Sequence, residues 1–403
     1  MLFGYHSGVP EMDRRSMVSA CAIAVLAAAI PTAIARAFRA PPGLSPPAST
    51  GFVTRDPTTG NLMLNGRRFR FSGANAPFLG LAEDSSAYGA PVDADGLHLA
   101  SHSEIDATLD SAQAMNAKVI RAYASLLSVG KSNAIQPTLG VFNSAGFEPT
   151  DYLLSQCAGR GIKLVFPLVD NYQYYAGGKY WYCTENGVTP DSVASQFFTN
   201  ATIINSFKAH ISAVLNRVNQ YTGLTYKNDP TILAWETGNE INMFPNTGIS
   251  AWTNEISRHI KLTEGALQLV VDGNTELDPA GFDLAYVDIY GNHTYVWPTP
   301  AQIPANAAMI HSHGKAYFLG EYTWTDKSID GSATPWTLTE LLSAIEASAH
   351  VDGDSFWELL APLAQFGGGG FVLHWPGDDA DMAARATHLA NHALKMGFQH
   401  PGE

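Results

Sequence analysis

The strongest constraint on this chain is an alternation that runs along most of its length. Short runs rich in β-branched and aromatic residues recur eight times, at Phe69–Gly73, Val119–Tyr123, Lys163–Leu168, Ile232–Glu236, Leu269–Asp272, Val287–Tyr290, Ala316–Gly320 and Ser355–Leu359. Helical patterns lie between them at Ile105–Met115, Asp151–Ala158, Ile204–Tyr221, Ser250–Gly265, Ala301–His311 and Leu338–His350, and a last one, Ala380–Met396, follows the eighth run. A strand, a helix and a second strand in succession need a crossover, so neighbouring strands are parallel. Eight such units predict an α/β protein that closes as a single (β/α)8 barrel. An open doubly wound sheet is the alternative, but no Gly-x-Gly-x-x-Gly follows the first strand. Ahead of it, GFVTRD and NLMLNGRRFRF read as an N-terminal β-hairpin turning at Pro57-Thr58-Thr59-Gly60. The chain exceeds the roughly 250 residues of a plain barrel. The surplus falls largely after the third and eighth strands, as long loops on the C-terminal face.

The two ends read differently. Residues 1–37 have the form of a signal peptide: Arg14-Arg15, the apolar stretch Met17–Ala35, and the small-x-small site Ala35-Arg36-Ala37. Residues 38–50 are a Pro-rich linker, and 51–403 form one domain without a second linker or repeat. These features predict a secreted protein with no stable membrane association once the signal is removed. Cys157 and Cys183 are then the only mature cysteines; they either pair or stand as two buried thiols. Composition narrows the function. A net charge of −14 opposes nucleic-acid binding, which needs basic patches. With 46% hydrophobic and only 15% charged residues, disorder is excluded as well.

Polar groups gather where the strands run out. The fourth strand ends Trp235-Glu236-Thr237-Gly238-Asn239-Glu240, the seventh Gly320-Glu321-Tyr322, and the sixth runs into Asn292-His293-Thr294-Tyr295; Arg121 and Trp357 sit on the second and eighth. Strand ends of a barrel share one cleft. Two carboxyls there, one protonated and one ionised, are what acid–base cleavage of a glycoside requires. Solvated strand-end charges are the plain alternative, but the Arg, His, Tyr and Asn at neighbouring ends favour chemistry.

These residues resemble glycoside hydrolase family 5 of clan A, in its mannanase-like and fungal cellulase-like branches. The resemblance covers most of residues 51–397, through LMLNGRRFRFSGAN, VIRAYA, LVDNYQYYAGGKYWY, DPTILAWETGNE, NHTY, FLGEYTW and GGGGFVLHWPGD. It implies that Glu240 is the acid/base and Glu321 the nucleophile of a retaining double displacement. Asn239 would bind the sugar 2-hydroxyl, Arg121 would hold Glu321 ionised, and Tyr295 would donate to it. His293 would orient groups near Glu240, and Trp357 would floor the reacting sugar. Asn171 stands nearest to a strand-three His of some members. The chain departs from the family in Ile241-Asn242 after the acid/base and in Thr323-Trp324 beyond the nucleophile.

Aromatic rings pack on the apolar faces of sugars, so Trp181, Trp297 and Trp324, near strand ends, are read as further sugar subsites, with core packing as the alternative. Tyr172, Tyr174, Tyr175, Tyr180 and Tyr182 read as one cleft wall. No cofactor is expected, nor a metal, since His98, His102, His311 and His313 lack nearby carboxylates in suitable spacing. The expectation is a monomeric, secreted retaining β-glycosidase acting on a neutral polysaccharide or oligosaccharide, foremost an endo-β-1,4-mannanase. A β-glucan hydrolase on the same site and a non-catalytic carbohydrate-binding barrel are the rival readings.

Overall fold

The computed structural model describes residues 51–83, 88–241, 249–366 and 370–397. The expected signal peptide and linker lie outside the described residues. Eight parallel strands close into a barrel: β1 Phe71–Asn75, β2 Val119–Arg121, β3 Lys163–Pro167, β4 Ile232–Glu236, β5 Leu269–Val271, β6 Ile289–Thr294, β7 Ala316–Tyr322 and β8 Gly353–Phe356, with β8 pairing back onto β1. Every strand residue is buried, because helices cover the outside and side chains fill the inside. Phe71, Val119, Val165, Leu233, Leu269, Ile289 and Phe318 pack the lower interior, together with Val53 and Leu62 of the N-terminal segment, so the barrel is plugged beneath its open face.

The structure amends the local readings in three places. The N-terminal hairpin is a three-stranded antiparallel meander, Thr54–Arg55, Leu62–Leu64 and Arg67–Arg68. Asn65 and Gly66 supply its second turn at φ of 53° and 76°, the left-handed pair a two-residue hairpin loop requires. The helix expected through Tyr221 stops at Leu215, and Val218 pairs with Thr225 in a turn instead. The aromatic stretch after β3 contains a helix, Gly178–Glu185, which puts Tyr182 in the core. Cys157 and Cys183 are free, buried thiols. Among the described residues no helix is long and apolar enough to cross a membrane.

The last helix, Ala380–Gly397, is tied to the barrel by a buried polar chain. Asp354 of β8 accepts from Ser72 Oγ at 2.8 Å and Tyr322 Oη at 3.0 Å, and its second oxygen lies 3.1 Å from His392 Nε2. His392 Nδ1 lies 3.0 Å from Glu346 Oε1. Burial alone would lower the His392 pKa, but the two carboxylates outweigh it and push it from 6.5 up to about 9. The folded state therefore holds this proton more tightly than the unfolded chain. Its stabilisation, on the order of 3 kcal/mol, is complete below pH 6.5 and lost as pH rises through about 9. The difference in urea midpoint between the protein and His392→Gln is accordingly expected to shrink across that window; a constant difference would show that the imidazolium charge contributes nothing.

Candidate active site

Arg121, at the end of β2, is fully buried and has every N–H directed at an acceptor. Nε and Nη2 clasp Glu236 at 2.7 and 3.1 Å, Nη1 donates to Asn75 Oδ1 at 3.0 Å and Glu321 Oε1 at 2.7 Å, and Nη2 also donates to Asn239 Oδ1 at 2.8 Å. One guanidinium thus ties together groups from β1, β2, β4 and β7. Because Arg can only donate, the contact also orients the Asn239 amide, whose Nδ2 donates to Asp170 Oδ1 at 3.1 Å.

Glu321 reaches the cleft through a break in strand periodicity. Ala316 and Phe318 face the barrel interior, and Tyr317 and Leu319 face the helices. Regular alternation would send Glu321 outward. However, Asn292 pairs with Leu319 while His293 pairs with Glu321, so Gly320 is an extra residue that reverses the alternation. Asn75 Nδ2 and Ser355 Oγ pin the Gly320 carbonyl at 2.9 and 2.6 Å. A Cβ at Gly320 would fall 2.8 Å from His293 Nε2. The bulge therefore needs glycine and makes room for the imidazole.

Glu240 follows β4 on a turn with φ of 55°, a left-handed conformation that a glutamate adopts at some cost. Asn239 N–H bonds to Val169 O at 2.7 Å and Ile241 N–H to Gly273 O at 3.1 Å, which holds the turn from both sides. A Cβ on Gly273 would lie 2.0 Å from Gly238 O, so this close backbone approach requires glycine there.

Both carboxyls open onto a cavity of about 680 Å³. One oxygen each of Glu240 and Glu321 and a ring nitrogen of His293 lie within 4.8 Å of one another. Tyr295 Oη donates to Glu321 Oε2 at 2.8 Å, Tyr172 Oη donates to Glu240 Oε2 at 2.6 Å, and His293 Nδ1 lies 2.8 Å from Glu240 Oε1. Trp357 and Trp297 line the cavity, the latter 64% exposed at its rim. Three expected site residues lie elsewhere. Trp181 sits on the Gly178–Glu185 helix and packs on Gly130 and the main core. Trp324 is buried, with its indole N–H donating to Phe371 O. Asn171 is buried, and among the described residues only its backbone is engaged, its N–H bonding to Asn239 O at 3.0 Å. Its neighbours Asp170 and Tyr172 reach the cavity instead. Of the five-tyrosine wall, Tyr172, Tyr174 and Tyr175 line the cavity, while Tyr180 and Tyr182 belong to the helix. Sequence reading missed Glu236, Asn75 and Asp170. The available signal was Arg121 itself, since a guanidinium deep in a strand demands buried acceptors at neighbouring strand ends.

Burial raises both carboxyls above their ordinary values; Tyr172 and Arg121 act against this at Glu240, and His293 and Arg121 at Glu321. Two carboxylates this close do not ionise together easily. Only Glu321 of the two has the guanidinium at hydrogen-bond distance, so its charge is the better stabilised and the shared proton rests on Glu240. Burial also lowers the His293 pKa, keeping the imidazole neutral at neutral pH. Glu240, His293 and Glu321 are close enough to hold a cation. Yet the Glu321 oxygen facing His293 is already bound by Arg121, and a metal there would set two cations on one oxygen.

Separation of the carboxyls decides what such a pair can do. Inversion needs room for a water between acid and base, about 6.5–9.5 Å, whereas about 5–5.5 Å brings the ionised carboxylate onto the anomeric carbon. With one oxygen of each inside 4.8 Å, this barrel carries the paired carboxyls of a glycoside hydrolase at close spacing.

Residues 52–280 match the family described as GH family 5 beta-mannosidase-like, and the chain belongs to glycoside hydrolase family 5. It is 28% identical over 343 residues to mannan endo-1,4-beta-mannosidase 3 of Oryza sativa subsp. japonica, covering 73% of this chain and 70% of the relative. Mannan endo-1,4-beta-mannosidase 7 of Arabidopsis thaliana is 34% identical over 164 residues, 40% of this chain and 37% of the relative. Among solved structures, the endo-1,4-beta-mannanase of Rhizomucor miehei superimposes with a TM-score of 0.67 at 25% identity, over 86% of this chain and 99% of that one. An endo-beta-1,4-mannanase of Thermotoga petrophila shares the fold, with a TM-score of 0.63 at 22% identity over 84% of this chain and 80% of that one.

Proposed function

We propose that the protein is an exported, monomeric endo-β-1,4-mannanase in which Glu240 is the acid/base and Glu321 the nucleophile. The observation that carries the reading is the pair of buried carboxyls within 4.8 Å at the ends of β4 and β7, in a chain whose relatives over most of its length are mannan endo-1,4-beta-mannosidases. Arg121 and Tyr295 hold Glu321, Asn239 presents an amide to the 2-hydroxyl, His293 orients Glu240, and Trp357 and Trp297 offer rings to sugar faces. Endo action fits a cavity whose lining Trp297 is exposed to solvent. Export follows from the apolar leader and its small-residue site in residues 1–37.

Expression in an exporting host, followed by assay of the medium on mannan, glucomannan and mixed-linkage β-glucan, tests the whole proposal. The expected result is a rapid fall in mannan viscosity, release of manno-oligosaccharides, and a mature chain beginning near Phe38. Preferential cleavage of β-glucan would move the enzyme to the rival substrate, and binding without reducing-sugar release would remove the catalytic reading.

A further inference from the structure

Glu240 has hydrogen-bonding partners on both oxygens before any sugar arrives. Oε1 faces His293 Nδ1 at 2.8 Å, and Oε2 accepts from the Tyr172 hydroxyl at 2.6 Å. Tyr172 is held firmly for this contact. Its backbone N–H bonds to Asp170 Oδ1 at 3.3 Å, and Gly178 approaches its carbonyl so closely that a Cβ would lie 2.0 Å away. A phenol O–H aimed at a carboxylate oxygen favours the ionised form.

We propose that Tyr172 is a positioning residue for the acid/base: its hydroxyl fixes the plane of the Glu240 carboxyl and stabilises the anion left when Glu240 gives its proton to the departing oxygen. The same bond holds the carboxylate while it takes a proton from water in the second step. This inference rests on Glu240 as the acid/base. Tyr172 stays a donor throughout, because burial and the adjacent Glu240 charge push its hydroxyl far above the ordinary tyrosine value. The other groups facing Glu240 are Glu321 from β7, His293 and Tyr295 from β6 and its extension, Arg121 and Tyr123 from β2 and the segment after it, and Asp170 beyond β3. Glu321 and Asp170 oppose ionisation of Glu240, and Arg121 favours it from behind Glu321. Tyr172 opposes the burial penalty by direct contact with the carboxyl.

Tyr172→Phe removes the hydroxyl and keeps the ring in the cavity wall. The alkaline limb of the kcat/KM–pH profile is expected to move up by about one pH unit. Turnover of polysaccharide is expected to fall about tenfold, with KM little changed and with a smaller effect on an aryl glycoside whose leaving group needs no proton. A carboxyl ¹³C NMR titration of glutamate-labelled protein, with the Glu240 signal assigned by Glu240→Gln, reads the same shift without substrate. If the titration and the limb stay in place while KM rises, Tyr172 is a sugar contact and the proposal is overturned. Failure of the unaltered protein to cleave mannan would instead overturn the substrate reading and leave the NMR result to decide this one.

Discussion

Glu321→Ala is expected to lower kcat/KM on mannan by about 10⁴-fold or more, since the loss of a nucleophile removes one of the two bond-making events. The same variant is expected to be at least as stable as the parent at neutral pH. Burial holds the Glu321 carboxyl above its ordinary value, so its ionised form disfavours the folded state at any pH above that range, and its removal relieves the strain. Thermal unfolding and initial rates, measured together, check both halves. The cavity left by the side chain lies beside the Arg121 guanidinium. A small anion such as azide is therefore expected to restore part of the turnover on an activated substrate, with a glycosyl azide of inverted configuration as the product. Retention of near-normal turnover would remove Glu321 from the mechanism.

Arg121→Leu is expected to cost both stability and activity, for separable reasons. Glu236 is fully enclosed and depends on the two guanidinium contacts, so deleting the cation leaves a buried carboxylate unpaired, at about 3–5 kcal/mol. Glu321 loses the charge that keeps it ionised, and turnover is expected to fall roughly 10²–10³-fold. Adding Glu236→Gln distinguishes the two roles. The double variant is expected to recover much of the lost stability, as measured by chemical unfolding, and none of the lost turnover. Recovery of turnover along with stability would show that Arg121 serves only to hold the barrel together.

The eight strands were legible because each is buried on both faces, which imposes a short, nearly continuous apolar run that periodicity detects without any knowledge of partners. Glu240 and Glu321 stood out for the complementary reason: a carboxyl at the end of such a run has no role in packing. Two tryptophans were placed in the cleft on the same logic, wrongly, because proximity to a strand end does not say which way a ring points. Trp181 lies on a helix that the tyrosine-rich composition concealed, and Trp324 turns into the core with its N–H on Phe371 O. Asn75, Asp170 and Glu236 were passed over because their roles come from contacts with residues 46 to 115 positions away, and no local pattern records such pairings.

The sequence by itself determined the barrel, its parallel order, its acidic and charge-poor character and the two carboxyls at strand ends, since burial and strand alternation are local consequences of residue type. Only the tertiary structure decided that those carboxyls meet. Regular alternation along β7 would turn Glu321 away from the cleft, and the extra residue at Gly320, held by Asn75 and Ser355 from neighbouring strands, turns it back. The register of one strand against the next depends on the closure of the whole barrel, so it is a property of the assembled sheet that no single segment carries.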